Sequence, residues 1–377
     1  MNILILARMT TPFNGNTINE RPLGGSESAL FYLSRELAAL GHKVVVFNNC
    51  FEGAGLYEGV EYRHFTTLLD LVNYSKKENF DIFISFRDLP AFLFPVNAKK
   101  RIWWGHDDFS NVWTKGILGI GFLRFAGGLS RLLVDKFFVV SEWLKQICMD
   151  YLKIPEDKIF VVRNGVHLPY FEENYQRHKY RLVYTSVPAR GLDILLEIFP
   201  RIRAQAPDAE LYIFCGFDLG VLKEADRKQA QKIYERTNQP GVLLRGTLKH
   251  ADLAKELLKS YLWVYPSHAV LKAGFYAETS CIAALEAQAA GLPVIASHRG
   301  ALLESVLNQQ TGILIEGDPY SKEYQERFVQ ETVELLKNEG RWQTYSQNAP
   351  RWIKENFSWK KIASEWDKEL KCLISQS

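Results

Sequence analysis

A chain of 377 residues is longer than one typical core organises and fits two domains. Hydrophobic residues at 47% against charged residues at 24% exclude an intrinsically disordered chain, and a net charge of +3 is too mild to call for nucleic acid. Five scattered cysteines (Cys50, Cys148, Cys215, Cys281, Cys372) form no Cys-x-x-Cys pair, which argues against a disulfide framework or a zinc site and for a reducing compartment. The opening run Met-Asn-Ile-Leu-Ile-Leu-Ala carries no basic leader and no cleavage site, so it reads as a buried first strand. No stretch reaches the ~18 uninterrupted apolar residues of a spanning helix, and the expectation is a soluble, cytoplasmic protein.

In chain order, residues 2–7 read as a strand and 26–40 as a helix closed by Gly41, with Leu30, Leu33, Leu37 and Leu40 on one buried face. Short β runs follow at 43–47, 82–86, 101–104, 137–140 and 159–162. Residues 167–178 show no periodicity, contain Pro169 and read as a linker. The alternation then restarts, with strands at 181–185, 210–215, 242–245, 262–265 and 294–296 and helices at 192–204, 252–260 and 281–290. Past Ser321 the chain turns helical and charged, and 357–374 carries apolar residues at helical spacing. Strands alternating with helices imply right-handed crossovers and parallel sheets, so the fold class is α/β with two doubly wound domains in series. Such sheets place ligands past the carboxyl ends of their strands, and a cleft between two of them suits a two-part substrate.

The loops after strands therefore hold the candidate chemistry. Gly24 and Gly25 stand just before a helix, where bare amides suit a phosphate; the spacing is not Gly-x-Gly-x-x-Gly, which disfavours NAD. The alternative there is a plain turn with Ser26 as N-cap. His106 follows the run Arg-Ile-Trp-Trp-Gly and precedes Asp107 and Asp108, as a substrate contact, an acid/base or a plain loop histidine. Arg190, between a strand and a helix in Thr-Ser-Val-Pro-Ala-Arg-Gly, suits bidentate phosphate binding or is a surface arginine. The stretch 116–133 is apolar with sparse arginines and five glycines, which points to ordinary packing, with a membrane-surface or acceptor-binding helix as the alternative.

The most informative feature is the pair Glu278 and Glu286 in Glu-Thr-Ser-Cys-Ile-Ala-Ala-Leu-Glu-Ala-Gln-Ala-Ala-Gly-Leu-Pro-Val-Ile-Ala-Ser. Eight residues apart, they would be separated by about 12 Å along a helix, which suits a long anionic ligand lying across a helix N-terminus. Glu286 lies among Ile282, Ala283, Ala284 and Leu285 on an otherwise buried helix, where a carboxylate needs a partner.

These motifs, with Asn164-Gly165-Val166 ending the first half, resemble the family-four retaining glycosyltransferases of the GT-B fold over nearly the whole chain. The resemblance implies two Rossmann-like domains facing an interdomain cleft: an acceptor domain at 1–167, a nucleotide-sugar donor domain at 168–356, and a final helix at 357–377 returning to the first domain. It implies that Glu278 holds the donor sugar hydroxyls and that the amides of Thr279, Ser280 and Cys281 meet the sugar and diphosphate. Glu286 would bind the ribose, Gly24 and Gly25 would approach the diphosphate, and His106 would contact the transferred sugar. Arg190 stands at the family's phosphate-binding lysine, and Arg245 and Thr247 would lie near the base. The family usually carries a second cation upstream, where this chain reads Tyr184-Thr185-Ser186, so Arg8 or Arg163 would have to substitute or the donor geometry differ.

The implied catalytic residues are His106, Arg190 and Glu278. The implied reaction is transfer of a hexose-type sugar from a nucleoside diphosphate sugar to a hydroxyl acceptor with retention, by front-face attack. No carboxylate pair for double displacement and no Asp-x-Asp for Mg²⁺ or Mn²⁺ is evident, so neither a metal nor another cofactor is expected. The acceptor expected by analogy is a saccharide or lipid-linked saccharide of cell-surface polysaccharide synthesis, met by loops at 56–61, 87–94 and 109–133. Weak peripheral association with the inner face of the membrane fits that acceptor. Two rivals stay open: a nucleotide-sugar epimerase on the same scaffold, and a non-catalytic sugar-binding protein.

Overall fold

The computed structural model describes residues 1–109, 116–216, 224–268, 270–271, 274–275 and 278–376. It divides into two compact units, Met1–Gly165 with Ser358–Ser377, and Val166–Phe357.

The first unit is built on an eight-stranded sheet: β1 (Asn2–Ala7), β2 (Lys43–Asn48), β3 (Gly55–Tyr57), β4 (Val60–His64), β5 (Phe80–Phe86), β6 (Ala98–Gly105), β7 (Lys136–Val139) and β8 (Ile159–Val161). Their order is β3-β4-β2-β1-β5-β6-β7-β8, parallel apart from β3 against β4. Central strands are unbroken apolar runs because helices cover both faces, and Ile3 through Ala7 are all buried. Leu4 faces Val45 on one side and Phe83 on the other.

Two sequence expectations change here. Segment 56–61, expected as an acceptor loop, forms the β3–β4 hairpin, with Leu56 opposite Glu61. Its two-residue turn is Glu58-Gly59, both at positive φ, which matches the twist of the flanking strands. The first long helix is Gly25–Ala39, and Leu40 lies beyond its last turn, 49% exposed, instead of on the buried face. Gly41, at φ +88°, then turns the chain toward β2.

The last helix, Trp359–Ser375, belongs to the first unit. Trp366 packs edge-on against Trp104 and tilts against Phe138, with centroids at 5.0 and 4.5 Å. Asp367 meets the buried His42 at 2.9 Å. Gly165 leaves room for this helix, since a Cβ there would lie 2.7 Å from the Trp359 ring.

The second unit holds β9 (Arg181–Tyr184), β10 (Glu210–Ile213), β11 (Val242–Leu244), β12 (Leu262–Tyr265), a small hairpin of β13 (Val270–Leu271) and β14 (Gly274–Phe275), β15 (Val294–Ser297) and β16 (Gly312–Ile315). The main sheet runs β11-β10-β9-β12-β15-β16, all parallel, around buried Tyr184, Trp263 and Tyr265. The expected linker at 167–178 is packed instead of free. Leu168 and Phe171 lie on the Val166–Leu285–Ile353–Phe357 cluster, and Arg177 donates to the carbonyls of Ser260 and Ala290. The Ala290 carbonyl caps a helix end and the Ser260 carbonyl lies just past another, and a guanidinium satisfies both.

Candidate active site

In the second unit the turn after β9 carries Arg190 into the helix Leu192–Gln205. Its last residue, Gly191, sits at φ +99° with its Cα against the chain after β12; a Cβ would lie 2.1 Å from the Pro266 carbonyl oxygen. That close approach brings Arg190 to Glu278, with the guanidinium 3.5 Å from Oε1. Replacing Gly191 with Ala is expected to cost at least about 2 kcal/mol through left-handed strain and this clash. Urea unfolding checks it; an unchanged midpoint would show that the turn tolerates a side chain.

Glu278 is buried, and a buried carboxylate requires partners. Besides Arg190, it accepts a hydrogen bond from the Tyr265 hydroxyl at the end of β12. Burial and the Glu278 charge both push the Tyr265 phenol far up, so it remains a donor. The Glu278 carbonyl accepts from the Ala301 amide at 2.7 Å, anchoring the segment to the chain after β15.

Thr279, Ser280 and Cys281 lead into the helix Ile282–Ala289, with Cys281 at the N-cap and its carbonyl accepting from Ala284 and Leu285. The Cys281 thiol is buried, and burial reinforced by Glu278 keeps it protonated, so it is no nucleophile. Only Glu286 of the pair stands on the helix. Half of the eight-residue spacing is therefore not helical, and the 12 Å derived from helical rise does not apply. The partner that Glu286 needs is His250, whose Nδ1 lies 3.5 Å from Oε1. His250 opens the helix His250–Leu258 and follows the loop of Arg245 and Thr247, both exposed past the end of the edge strand β11.

At Tyr184-Thr185-Ser186, where the resemblance implies a second cation, the structure shows neutral groups bonded to neutral partners. The Thr185 hydroxyl accepts from the Trp263 indole at 2.8 Å, and Ser186 lies 3.4 Å from the Tyr265 hydroxyl. Arg8, at the end of β1 in the first unit, is committed to the buried Asp88 through two hydrogen bonds. Nearby in the second unit, buried His268 and the exposed Tyr320 both bond Asp193, each at 3.2 Å. Burial pushes the Asp193 carboxyl up, but these bonds outweigh it and hold it below its ordinary value.

In the first unit Gly24 is the N-cap of the Gly25–Ala39 helix, and Ser26 is inside it. The carboxylate beside Gly24 is the chain's own: a Cβ there would lie 2.6 Å from Glu27 Oε2. Glu27 is buried and accepts from the Thr11 amide at 2.9 Å. His106, just past β6, is buried between Phe86 and Trp104 at 4.8 and 4.9 Å, and its Nε2 has no hydrogen-bond partner among the described residues. A plain loop histidine would be solvated. Asp107, its neighbour, pairs with Arg87 through bonds of 2.8 and 2.7 Å, and Arg87 holds a left-handed backbone at φ +64°.

His250, Tyr265 and the His268–Asp193–Tyr320 group escaped the sequence reading. Tyr265 and His268 flank the Pro-Ser that ends β12, which is the one local signal that could have found them.

Two parallel-sheet units in series, one carrying an arginine–carboxylate pair before a helix N-terminus, are the framework of a GT-B glycosyltransferase. The model of glycosyltransferase family 4 matches residues 23–169, and that of glycosyl transferases group 1 matches residues 178–352. The chain belongs to this family. A D-inositol 3-phosphate glycosyltransferase of Rhodococcus jostii is 27% identical over 176 residues, covering 47% of this chain and 36% of that protein. A phosphatidylinositol N-acetylglucosaminyltransferase subunit from Arabidopsis thaliana is 23% identical over 385 residues, covering 93% and 80%. The chain thus spans little more than a third of the first relative and most of the second.

Among solved structures, sucrose-phosphate synthase from Thermosynechococcus elongatus superposes with a TM-score of 0.78 at 17% identity, covering both chains fully. Anabaena HepE in complex with UDP-glucose gives 0.75 at 15% identity, covering 99% of this chain and 100% of that one. These likenesses show the fold. No helix among the described residues is long and apolar enough to cross a membrane.

Proposed function

We propose that the protein is a retaining glycosyltransferase that moves a hexose-type sugar from a nucleoside diphosphate sugar to a hydroxyl acceptor without a metal. The observation that carries this reading is the Arg190–Glu278 pair, a cation and a buried carboxylate held 3.5 Å apart just before the Ile282–Ala289 helix. A diphosphate needs the first and the helix amides; sugar hydroxyls need the second. In this reading Glu286, oriented by His250, takes the ribose, and Arg245 and Thr247 lie toward the base. The amides of Thr279, Ser280 and Cys281 take the sugar and diphosphate. The roles of Gly24 and Gly25 toward the diphosphate, and of His106 toward the transferred sugar, belong to the same proposal.

The acceptor oxygen attacks the anomeric carbon on the face that the diphosphate leaves. As the bond from that carbon to the phosphate oxygen breaks, the acceptor proton passes to the leaving phosphate. Arg190 and the helix N-terminus stabilise the charge that develops there. The acceptor class is a saccharide or lipid-linked saccharide of cell-surface polysaccharide synthesis, supported by relatives named for inositol phosphate and phosphatidylinositol. The donor class is supported by the neighbour solved with UDP-glucose.

Thermal shift across UDP, GDP, ADP and TDP, each with and without EDTA, tests the donor assignment. One diphosphate at ~100 times its Kd should stabilise the fold by about 2.7 kcal/mol, equally in EDTA. No response to any would remove the donor site, and a response that EDTA abolishes would remove metal independence. With the donor known, NMR of the product reads the anomeric configuration, and inversion would overturn retention.

A further inference from the structure

His268 precedes Glu278 by ten residues, and the fold returns the two to one neighbourhood. Val270 pairs antiparallel with Phe275, so the chain enters and leaves this small hairpin side by side. Glu278 is also tied to the end of β12 by the Tyr265 hydroxyl, three residues before His268. The Arg190 turn lies against the same stretch: a Cβ on Gly191 would be 3.1 Å from the Ser267 Cα. His268 therefore stands where a parallel sheet holds its ligands, beside both groups of the donor reading.

The His268 side chain is 2% exposed, and its two nitrogens differ. Nε2 meets Asp193 Oδ1 at 3.2 Å. The Asp193 carboxyl is held below its ordinary value, so it is ionised and only accepts, and Nε2 carries the hydrogen. In the neutral ring this tautomer leaves a lone pair on Nδ1, which is buried and has no hydrogen-bond partner among the described residues. The exposed Tyr320 hydroxyl donates to Asp193 Oδ2 and fixes the carboxylate in turn. The ring is oriented from one side while its acceptor stays unused. A buried acceptor left unpaired costs about 1–3 kcal/mol, which an arriving donor relieves.

A diphosphate is a poor partner, because its oxygens only accept near neutral pH. A nucleobase has N–H donors, but Arg245 and Thr247 follow β11, three places from β12 in the sheet. That is about 14 Å at ~4.8 Å per strand. The transferred sugar has hydroxyls, and the neighbouring Glu278 is the group proposed to hold them. We infer that His268 takes one hydroxyl of the transferred sugar at Nδ1, with Asp193 and Tyr320 positioning its ring. The inference rests on the donor reading above and adds to it a contact that selects among sugars, since a site built around a hydroxyl rejects a sugar that does not present one.

The test takes the nucleoside diphosphate that stabilises wild type and compares it with its glucose, galactose, mannose and N-acetylglucosamine esters. Binding is read by calorimetry without acceptor at about pH 8, where imidazoles are ordinarily neutral. His268→Gln keeps a donor within reach of Asp193 and loses the Nδ1 acceptor. It should bind the ester that wild type prefers about tenfold more weakly, and the diphosphate within about twofold of wild type. His268→Asn places an amide oxygen near the Nδ1 position and should recover most of that loss. Unchanged ester affinity in His268→Gln would overturn the inference. So would equal losses for ester and diphosphate, which mark a structural role, or equal ester losses in the two variants. Wild type that binds a diphosphate but none of the esters would overturn it as well. Wild type that binds no diphosphate would instead remove the donor reading, and the sugar contact with it.

Discussion

Arg190→Ala is expected to lower kcat/KM by about 10²–10³, with loss of nucleoside diphosphate binding. In the proposed reading one residue carries what two cations usually share, so the effect should be large. Where the second would stand, Thr185 and Ser186 bond to Trp263 and Tyr265. Arg190 also neutralises Glu278, whose carboxylate is buried under the Tyr265 hydroxyl. Removing the cation leaves a buried carboxylate with one neutral donor among the described residues, and because Arg190 is itself 37% exposed the loss of stability should be about 1 kcal/mol. Arg190→Lys separates the two effects. A lysine keeps the point charge beside Glu278 but loses the planar fork, so it should restore stability and only part of the diphosphate affinity. Calorimetry with the diphosphate that stabilises wild type, beside urea unfolding, reads both. Wild-type affinity in Arg190→Ala would end the phosphate assignment.

Acid should destabilise the first unit through His106. Burial first, and the nearby Arg87 charge second, push its imidazole from the ordinary 6.5 down to about 3. The unfolded chain therefore takes up a proton near pH 6.5, while the folded one resists until about pH 3. Within that window the unfolded state binds more protons, so stability is full above pH 6.5 and falls as pH drops toward 3. The slope is about 1.4 kcal/mol per pH unit, with a ceiling of about 5 kcal/mol. His42, also lowered by burial and the neighbouring N-terminus, adds a dependence of the same sign, so a comparison is needed. His106→Phe keeps a ring between Phe86 and Trp104 and removes only the titration. Unfolding curves for both proteins from pH 7.5 to about 5 should diverge below 6.5, wild type losing more. Parallel curves would mean that the imidazole is not held neutral in the folded protein.

The sequence carried the parallel strands of both units, because a strand buried on both faces is an unbroken apolar run between polar loops. Residues 2–7, 181–184 and 262–265 needed nothing more. It also carried Arg190, Glu278 and Glu286 as candidates, since a charged side chain at a strand end or on an apolar helix is conspicuous by its company. The β3–β4 hairpin was missed although Glu58-Gly59 was there to read, because the three-residue β3 leaves too little alternation. The 167–178 segment was misread because aperiodic sequence does not distinguish a free linker from one pinned by Arg177.

What the chain determined by itself is local: periodicity, turn chemistry, and which residue types stand past which strands. What the tertiary structure decided is partnership. That Glu278 lies under Tyr265, that Glu286 meets His250 thirty-six residues away, and that Thr185 serves an indole all depend on which strand neighbours which. The helix Ile117–Leu133, with Leu118, Phe122, Phe125 and Leu132 exposed, is the clearest case. Its sequence offers two faces that could be buried, one of glycine and small residues and one of Leu and Phe. The turn at Cys148–Leu152 takes the small-residue face, because backbone can approach glycine where it cannot approach phenylalanine, and the large residues are left outward.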